Sequence, residues 1–327
     1  MIEGYTYPEI FSFSSLSLWH TCRKAWYLKY LRKANTKEGN AFSQYGTFVH
    51  GILEKYEKDE LPIIALAEEY QNGYDEHVVY GFPFGMGAKY YQDGLDYFEN
   101  FTGFGEEFDT VGVEEEFTTE IAGHKLTGFV DLILRNKSTG KYTVIDHKSK
   151  SKSTLKSDYK EAVLQLYVYA HHVKEIYGEF PERLVFNLFR EGEMFGEEFK
   201  QSEYDRMVEW VDGTINEIYA ATEFPDKIAK DAEDRIKAGK KPLKNNDFFC
   251  LRLCDCFDAC DLWNGTASNE EIPAETPAES AEIPAETETS AVAEVDASVF
   301  DDEPEENPLL ENPLLTTEAN DEVSLPW

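Results

Sequence analysis

Two acidic residues interrupt or end apolar runs on either side of a turn, and this segment constrains the fold more than any other. Asp131 lies between Phe129-Val130 and Leu132-Ile133-Leu134, while Asp146 ends the run 142–145 and precedes His147 and Lys148. Short runs rich in β-branched and aromatic residues read as strands, here 125–135 and 141–148. Between them Asn136-Lys137-Ser138-Thr139-Gly140 has hairpin-turn composition. Pairing around that turn brings the two carboxylates together at one end of a sheet. Either acid alone would read as a strand-end charge facing solvent. Two carboxylates beside an ammonium instead suit a hydrolytic Mg²⁺ site, where oxygen ligands hold a hard cation and the lysine orients a water.

The remaining periodicity places helices before this hairpin and a helix and strands after it. Residues 16–31 read as one helix with Leu16, Trp19, Ala25, Trp26 and Tyr30 on an apolar face and Cys22 within it. Residues 47–56 read as a second, with His50 and Glu54 one turn apart on the same face. Helices are also expected at 62–74 and 88–101, separated by the Gly-rich segment 80–87. A strand at 110–120 leads into the hairpin. Residues 157–177 form a long helix with Val163, Leu166, Tyr167, Ala170 and Val173 in one stripe, and Gln165 and Tyr169 at i and i+4. Strands at 183–191 and 194–200 and a helix at 205–221 close the pattern. This order predicts an α/β fold, a mixed central sheet flanked by helices.

Charge divides the 327-residue chain near Gly265. Of its 64 acidic residues, 18 lie beyond that point, where there is no Lys or Arg; the body keeps 46 acids against 31 bases. Beyond Gly265 Pro, Glu, Ala, Ser and Thr dominate. Glu271-Ile-Pro-Ala-Glu-Thr recurs from Glu282, and Glu306-Asn-Pro-Leu-Leu from Glu311. Such composition predicts a disordered acidic tail over 266–327 and a folded body over 1–265. The acidic balance argues against a passive DNA coat, whose binding rests on neutralising phosphates. It leaves room for a nuclease, because a bound cation carries its own charge. Basic residues also cluster locally, at 147–160 beside the acidic pair and again at 227–244. No signal peptide and no run of about 18 apolar residues appear, so a cytoplasmic location without a membrane span is expected. Five cysteines, four of them between Cys250 and Cys260, favour metal or cluster binding over disulfides in such a compartment.

The acidic pair with its lysine resembles the PD-(D/E)XK nuclease superfamily, and four further features resemble its RecB-like exonucleases. Phe13-Ser14-Ser15-Leu16-Ser17-Leu18 with Cys22-Arg23-Lys24-Ala25-Trp26-Tyr27 looks like that group's N-terminal helix. Gly46-Thr47-Phe48-Val49-His50-Gly51 looks like its histidine motif, and Gln165-Leu166-Tyr167-Val168-Tyr169 like its QxxxY motif. The late cysteines stand where iron–sulfur members keep theirs. All occur in the group's order, over roughly residues 11–263.

The resemblance implies a restriction-endonuclease-like core at about 106–225, a helical part at about 11–105 and a cysteine cluster at 250–260. It implies that Asp131, Asp146, His50 and the His147 backbone carbonyl ligate Mg²⁺ or Mn²⁺, and that Lys148 positions the attacking water. Glu54 would fix the His50 tautomer. Gln165 and Tyr169 would line the cleft and help position DNA or Lys148, although an exposed helix face with a packing tyrosine is the plainer reading. Lys150, Lys152 and Lys156 would contact DNA. Cys22 with Cys250, Cys254 and Cys260 would hold a 4Fe–4S cluster, with Zn²⁺ as the alternative; Cys256 is extra to the usual C-x₂-C-x₅-C spacing. Either ion would tie residue 22 to residue 260.

The activity so implied is divalent-metal-dependent DNA exonuclease, acting on single strands or ends. No Walker A sequence accompanies it, so the chain has no P-loop motor of its own. By analogy a stand-alone nuclease of this size suggests a phage or mobile-element role in recombination, repair or replication, in the host cytoplasm if phage-encoded. A structure-specific endonuclease of the same fold is one alternative. A non-catalytic adaptor is another, against which the intact Asp131, Asp146, Lys148 and His50 count. The terminal Asp321-Glu322-Val323-Ser324-Leu325-Pro326-Trp327 looks like the acidic tips of single-stranded-DNA-binding proteins. It implies a replication or recombination protein as partner, against the plainer reading of a solubilising tail.

Overall fold

A mixed sheet organises the chain, seen here in a computed structural model that describes residues 2, 4–34, 36, 39–228, 237, 248–256 and 259–260. The acidic tail and its terminal tip lie outside the described residues, as does most of the second basic run. In chain order the elements are β1 (Ile10–Phe11), α1 (Phe13–Thr21), α2 (Arg23–Trp26), α3 (Ala41–Glu57), α4 (Leu66–His77) and α5 (Gly87–Glu99). Then come β2 (Phe108–Ile121), β3 (His124–Asn136), β4 (Tyr142–Lys148), α6 (Lys152–Tyr177), β5 (Arg183–Leu188), β6 (Glu193–Glu198) and α7 (Gln201–Ala220). This is the mixed α/β, restriction-endonuclease-like arrangement expected from the element pattern.

The sheet runs β1-β3-β4-β5-β6, with β2 on the other edge of β3. The hairpins β2–β3 and β3–β4 are antiparallel and β4–β5 is parallel, α6 making the crossover. Ala122 and Gly123 turn β2 into β3 with φ of 52° and 80°, the left-handed pair a two-residue hairpin requires. β1 and β4 use the same edge of β3 without meeting: β1 pairs with Lys125 and Leu126, β4 with Leu132 to Arg135. Residues 127–131 of β3 are left between them, and α1 starts beside this gap.

Apolar side chains fill both faces. One core joins Leu126, Val130 and Val144 to Leu164, Tyr167 and Val168 of α6, Trp19 of α1 and Val211 of α7. The other joins Leu132, Leu134 and Ile145 to Val49 and Leu53 of α3, Tyr70 of α4 and Phe98 of α5. The face that β2 and β3 bury therefore changes along their length. Phe117 and Val130 belong to the first core, Val113 and Leu132 to the second. The change falls at Glu114 and Asp131. Glu114 takes φ of 46°, left-handed backbone that costs an L-residue of order 1–3 kcal/mol and clusters at functional sites.

Two expectations need correction. Residues 16–31 are not one helix: Cys22 is extended at φ −156° and ψ 104°, ending α1 and opening α2, which runs into a π-helical turn, Tyr27–Leu31. The Cys22 thiol accepts from the Ala25 amide at 3.4 Å, as an N-cap would, and the break lets Trp19 and Trp26 meet edge-to-face at 5.4 Å. β1 was not expected, since two residues carry no period. No described helix is long and apolar enough to cross a membrane.

Candidate metal centre

Continuing the strand registers by one residue puts Asp131 opposite Asp146 on β4 and opposite Glu114 on β2. Three carboxylates thus stand side by side where β2 and β3 change face. Helix α3 adds His50. Its N-terminus is held by an Asn40–Ser43 capping box, and Val49, Ile52 and Leu53 bury its core side. His50 is left on the flank that meets the strand ends.

His50 Nε2 lies 3.0 Å from the His147 carbonyl, a bond it makes as donor. Nδ1 donates to Glu114 Oε1 at 3.4 Å and lies 3.7 Å from Asp131 Oδ2; deprotonated there, the ring would turn its Nδ1 lone pair to the same carboxylates. His50, Glu114 and Asp131 offer one ligand atom each, all within 4.8 Å of one another. The His147 carbonyl keeps a second lone pair, so its engagement with His50 does not exhaust it. Glu54 takes no part: it pairs with Lys58 at 2.5 Å, and Glu114 stands where Glu54 was expected.

Asp146 is 1% exposed, and neither carboxylate oxygen has a hydrogen-bond partner among the described residues. Lys148 Nζ lies 2.7 Å from its Oδ2, an ion pair outside hydrogen-bond geometry. Lys148 donates to Gln165 Oε1 at 3.0 Å, and Gln165 Nε2 donates to the Tyr169 hydroxyl at 2.6 Å. Gln165 and Tyr169 therefore face the centre and hold the lysine. Asp131 accepts from the His147 amide at 2.7 Å. The His147 ring is a different matter. It stacks on Phe104 and accepts from Asn187 at 3.0 Å, deep in the second core.

The electrostatics are those of a cation site. Burial, and then repulsion from Asp146, push the Asp131 carboxyl up to about 7. Burial alone would lower the His50 imidazole, but the Glu114 hydrogen bond and the Asp131, Glu114 and Asp146 charges outweigh it and raise it. Burial and the same two aspartates push the Tyr169 phenol well above its usual range. Burial, then the positive charges of His50 and Lys148, keep His147 neutral. Oxygen ligands with one imidazole nitrogen fit Mg²⁺ or Mn²⁺.

Of the three lysines expected at DNA, Lys150 lines a hollow of about 870 Å³ between α1 and α6, together with Lys148. Lys152 and Lys156 point elsewhere, over the Phe195 ring of β6, where Lys152 also pairs with Glu193 at 2.7 Å. Cys22 and Cys256 are buried in a small cluster with Ala25 and Leu28, against which Cys254 and Cys260 pack. Cys256, the residue extra to the expected spacing, thus sits beside Cys22; its thiol lies 3.5 Å from the Ala25 carbonyl. Cys250 is buried but outside this cluster.

Sequence reasoning missed Glu114, which sits in the run Glu114-Glu115-Glu116. Nothing in the sequence separates it from Glu115 and Glu116.

The PD-(D/E)XK nuclease superfamily profile matches residues 10–261. With fold, register and carboxylate geometry in agreement, the chain belongs to that superfamily, whose members are nucleases dependent on divalent metal. A comparison with curated proteins finds no match.

Proposed function

We propose that this nuclease is a RecB-like DNA exonuclease that acts on single strands or DNA ends. One observation carries the metal-dependent reading: Asp146 is buried, in line with Asp131 and Glu114, with neither oxygen hydrogen-bonded among the described residues and Lys148 alone paired to it. Three adjacent carboxylates with a single lysine against them call for further positive charge, which a divalent cation supplies. His50, Glu114, Asp131 and Asp146, with the His147 carbonyl, would hold it. When bound, Mg²⁺ or Mn²⁺ supplies positive charge at the phosphodiester oxygens and acidifies water.

The side chains supply the rest. Lys148, held by Gln165, is aimed at the same volume and orients the water for in-line attack. Tyr169 stays a protonated phenol and fixes Gln165. The His147 carbonyl fixes the His50 tautomer that presents Nδ1 to the carboxylates.

End-labelled single-stranded DNA with Mn²⁺ or Mg²⁺, wild type beside Asp146→Asn, tests this reading. Metal-dependent release of label, lost in the variant and absent on circular strands, is expected. Cleavage of circles would indicate an endonuclease. A folded wild type inert on single-stranded, duplex and forked DNA would leave the adaptor reading.

The cysteines are read as a 4Fe–4S site, with Zn²⁺ the alternative, because Cys22 packs with Cys254, Cys256 and Cys260 across the length of the body. Iron, sulfide and zinc analysis of anaerobically purified protein decides between them. The acidic tip is proposed to dock a replication or recombination protein, which a pull-down without residues 321–327 should lose.

A further inference from the structure

The stretch of β3 between β1 and β4 has the first turn of α1 beside it, and two hollows open there. The smaller, about 430 Å³, is lined by Thr127, Phe129 and Asp131 of β3 and by Tyr169. The larger, about 870 Å³, is lined by Lys148, Lys150, Lys160 and Lys227. Both are also lined by Phe13, Ser14 and Gln165, so they adjoin beside the acidic centre. Volumes of this order hold nucleotide-sized ligands.

The two arms differ in chemistry. The larger has four lysines against Asp158 and Glu161; Asp158 pairs with Lys150 at 3.5 Å, and Glu161 accepts from the Ser17 hydroxyl at 2.9 Å. The smaller has no lysine or arginine, and its acids are Glu116 and Asp131. Its open side is Phe129, which is 51% exposed between the half-buried Gly128 and the fully buried Val130. A phenyl ring held in water two residues from a metal-site carboxylate offers a stacking face and little else.

Resting on the nuclease reading above, we propose that the hollows form a channel for one DNA strand, with phosphates along the lysine arm and a base stacked on Phe129 across the scissile bond. Phe129 is then a positioning residue. It holds the nucleotide on the arm that cannot bind phosphate electrostatically, and it selects an unpaired base, whose face is free to stack. The asymmetry fixes which way the strand lies.

The experiment uses the full-length protein and short single strands that carry one abasic nucleotide at successive positions around the cleaved bond. KM is measured with Mn²⁺, and affinity separately by fluorescence anisotropy with Ca²⁺. Phe129→Ala should weaken binding to the intact strand about ten- to hundred-fold. It should have no further effect on the strand abasic at one particular position, and Phe129→Trp should restore affinity. Lys160→Ala should reduce the salt dependence of binding by about 0.7 of a log unit per log unit of salt, while Phe129→Ala leaves that slope unchanged.

Unchanged affinity in Phe129→Ala, or additive Phe129 and abasic effects at every position, overturns the proposal. An unchanged salt slope in Lys160→Ala overturns the lysine arm. Phe129-dependent binding without cleavage would remove the nuclease reading and keep the channel; cleavage indifferent to Phe129 would do the reverse. A matching melting temperature for Phe129→Ala excludes misfolding.

Discussion

Replacing Asp131 by Asn should make the metal-free protein more stable while making it inactive. The carboxamide keeps an oxygen to accept from the His147 amide, now made at 2.7 Å, and removes only the charge. In the native fold burial and Asp146 raise the Asp131 carboxyl to about 7, against about 3.9 for an unfolded aspartate. Between those values the native state binds more protons than the unfolded state, so wild-type stability falls as pH rises from about 4 to about 7. Three pKa units correspond to about 4 kcal/mol. Asp131 and Asp146 titrate as a pair, so a gain of about 2–4 kcal/mol at pH 8 is expected. For a domain of 150–250 residues that raises the melting temperature by roughly 5–15 °C. The assay is thermal unfolding in EDTA at pH 4.5 and pH 8, repeated with Mn²⁺. The gain should be large at pH 8, small at pH 4.5, and offset by Mn²⁺, which stabilises the wild type alone. A variant less stable than wild type at pH 8 in EDTA, or a difference independent of pH, would refute the electrostatic account of the centre.

Further expectations concern single residues. Glu114→Gln should lower the apparent Mn²⁺ affinity by roughly ten- to a hundred-fold, read from metal titration of activity, whereas Glu54→Gln should not change it. Lys148→Ala should reduce kcat by about 10²–10⁴ while leaving metal binding intact by calorimetry. With an imidazole among the ligands, Mn²⁺ should support activity at lower concentration than Mg²⁺. Gly94→Ala places a Cβ against the Tyr70 and Tyr45 hydroxyls and should cost about 1–3 kcal/mol in chemical denaturation, with kcat unchanged once folded.

The hairpin was legible in the sequence because two signals agreed: apolar runs with an acid in or at the end of each, and a turn of the right composition. Together they set the register that puts Asp131 opposite Asp146. Gln165 and Tyr169 came from the resemblance to the QxxxY motif, helical spacing adding only that they share a face. What escaped was whatever depended on a local departure from regular geometry. Three consecutive glutamates on a strand give no hint which one turns inward; the left-handed backbone at Glu114 decides it. Helical spacing offered Glu54 as the partner of His50, but a sheet neighbour lies nearer than the next helical turn. Cys22 fell inside a convincing helical stripe, and only the contact between Trp19 and Trp26 shows why the helix breaks there. Lys152 and Lys156 were grouped with Lys150 by proximity in sequence, while α6 turns them toward Phe195.

The N-terminal helix reaches its seat through residues made much later. Trp19 and Arg23 bond to Glu217, His20 to Thr214, and the Ala25 carbonyl meets Cys256. During translation the candidate metal ligands have all been made once the chain reaches residue 148. The wall that faces them is seated only when α7 and the late cysteines follow. An interrupted chain therefore carries the candidate ligands without the late elements that seat α1 and α2. The seat of the N-terminal helices is therefore completed only by the last part of the body to be made.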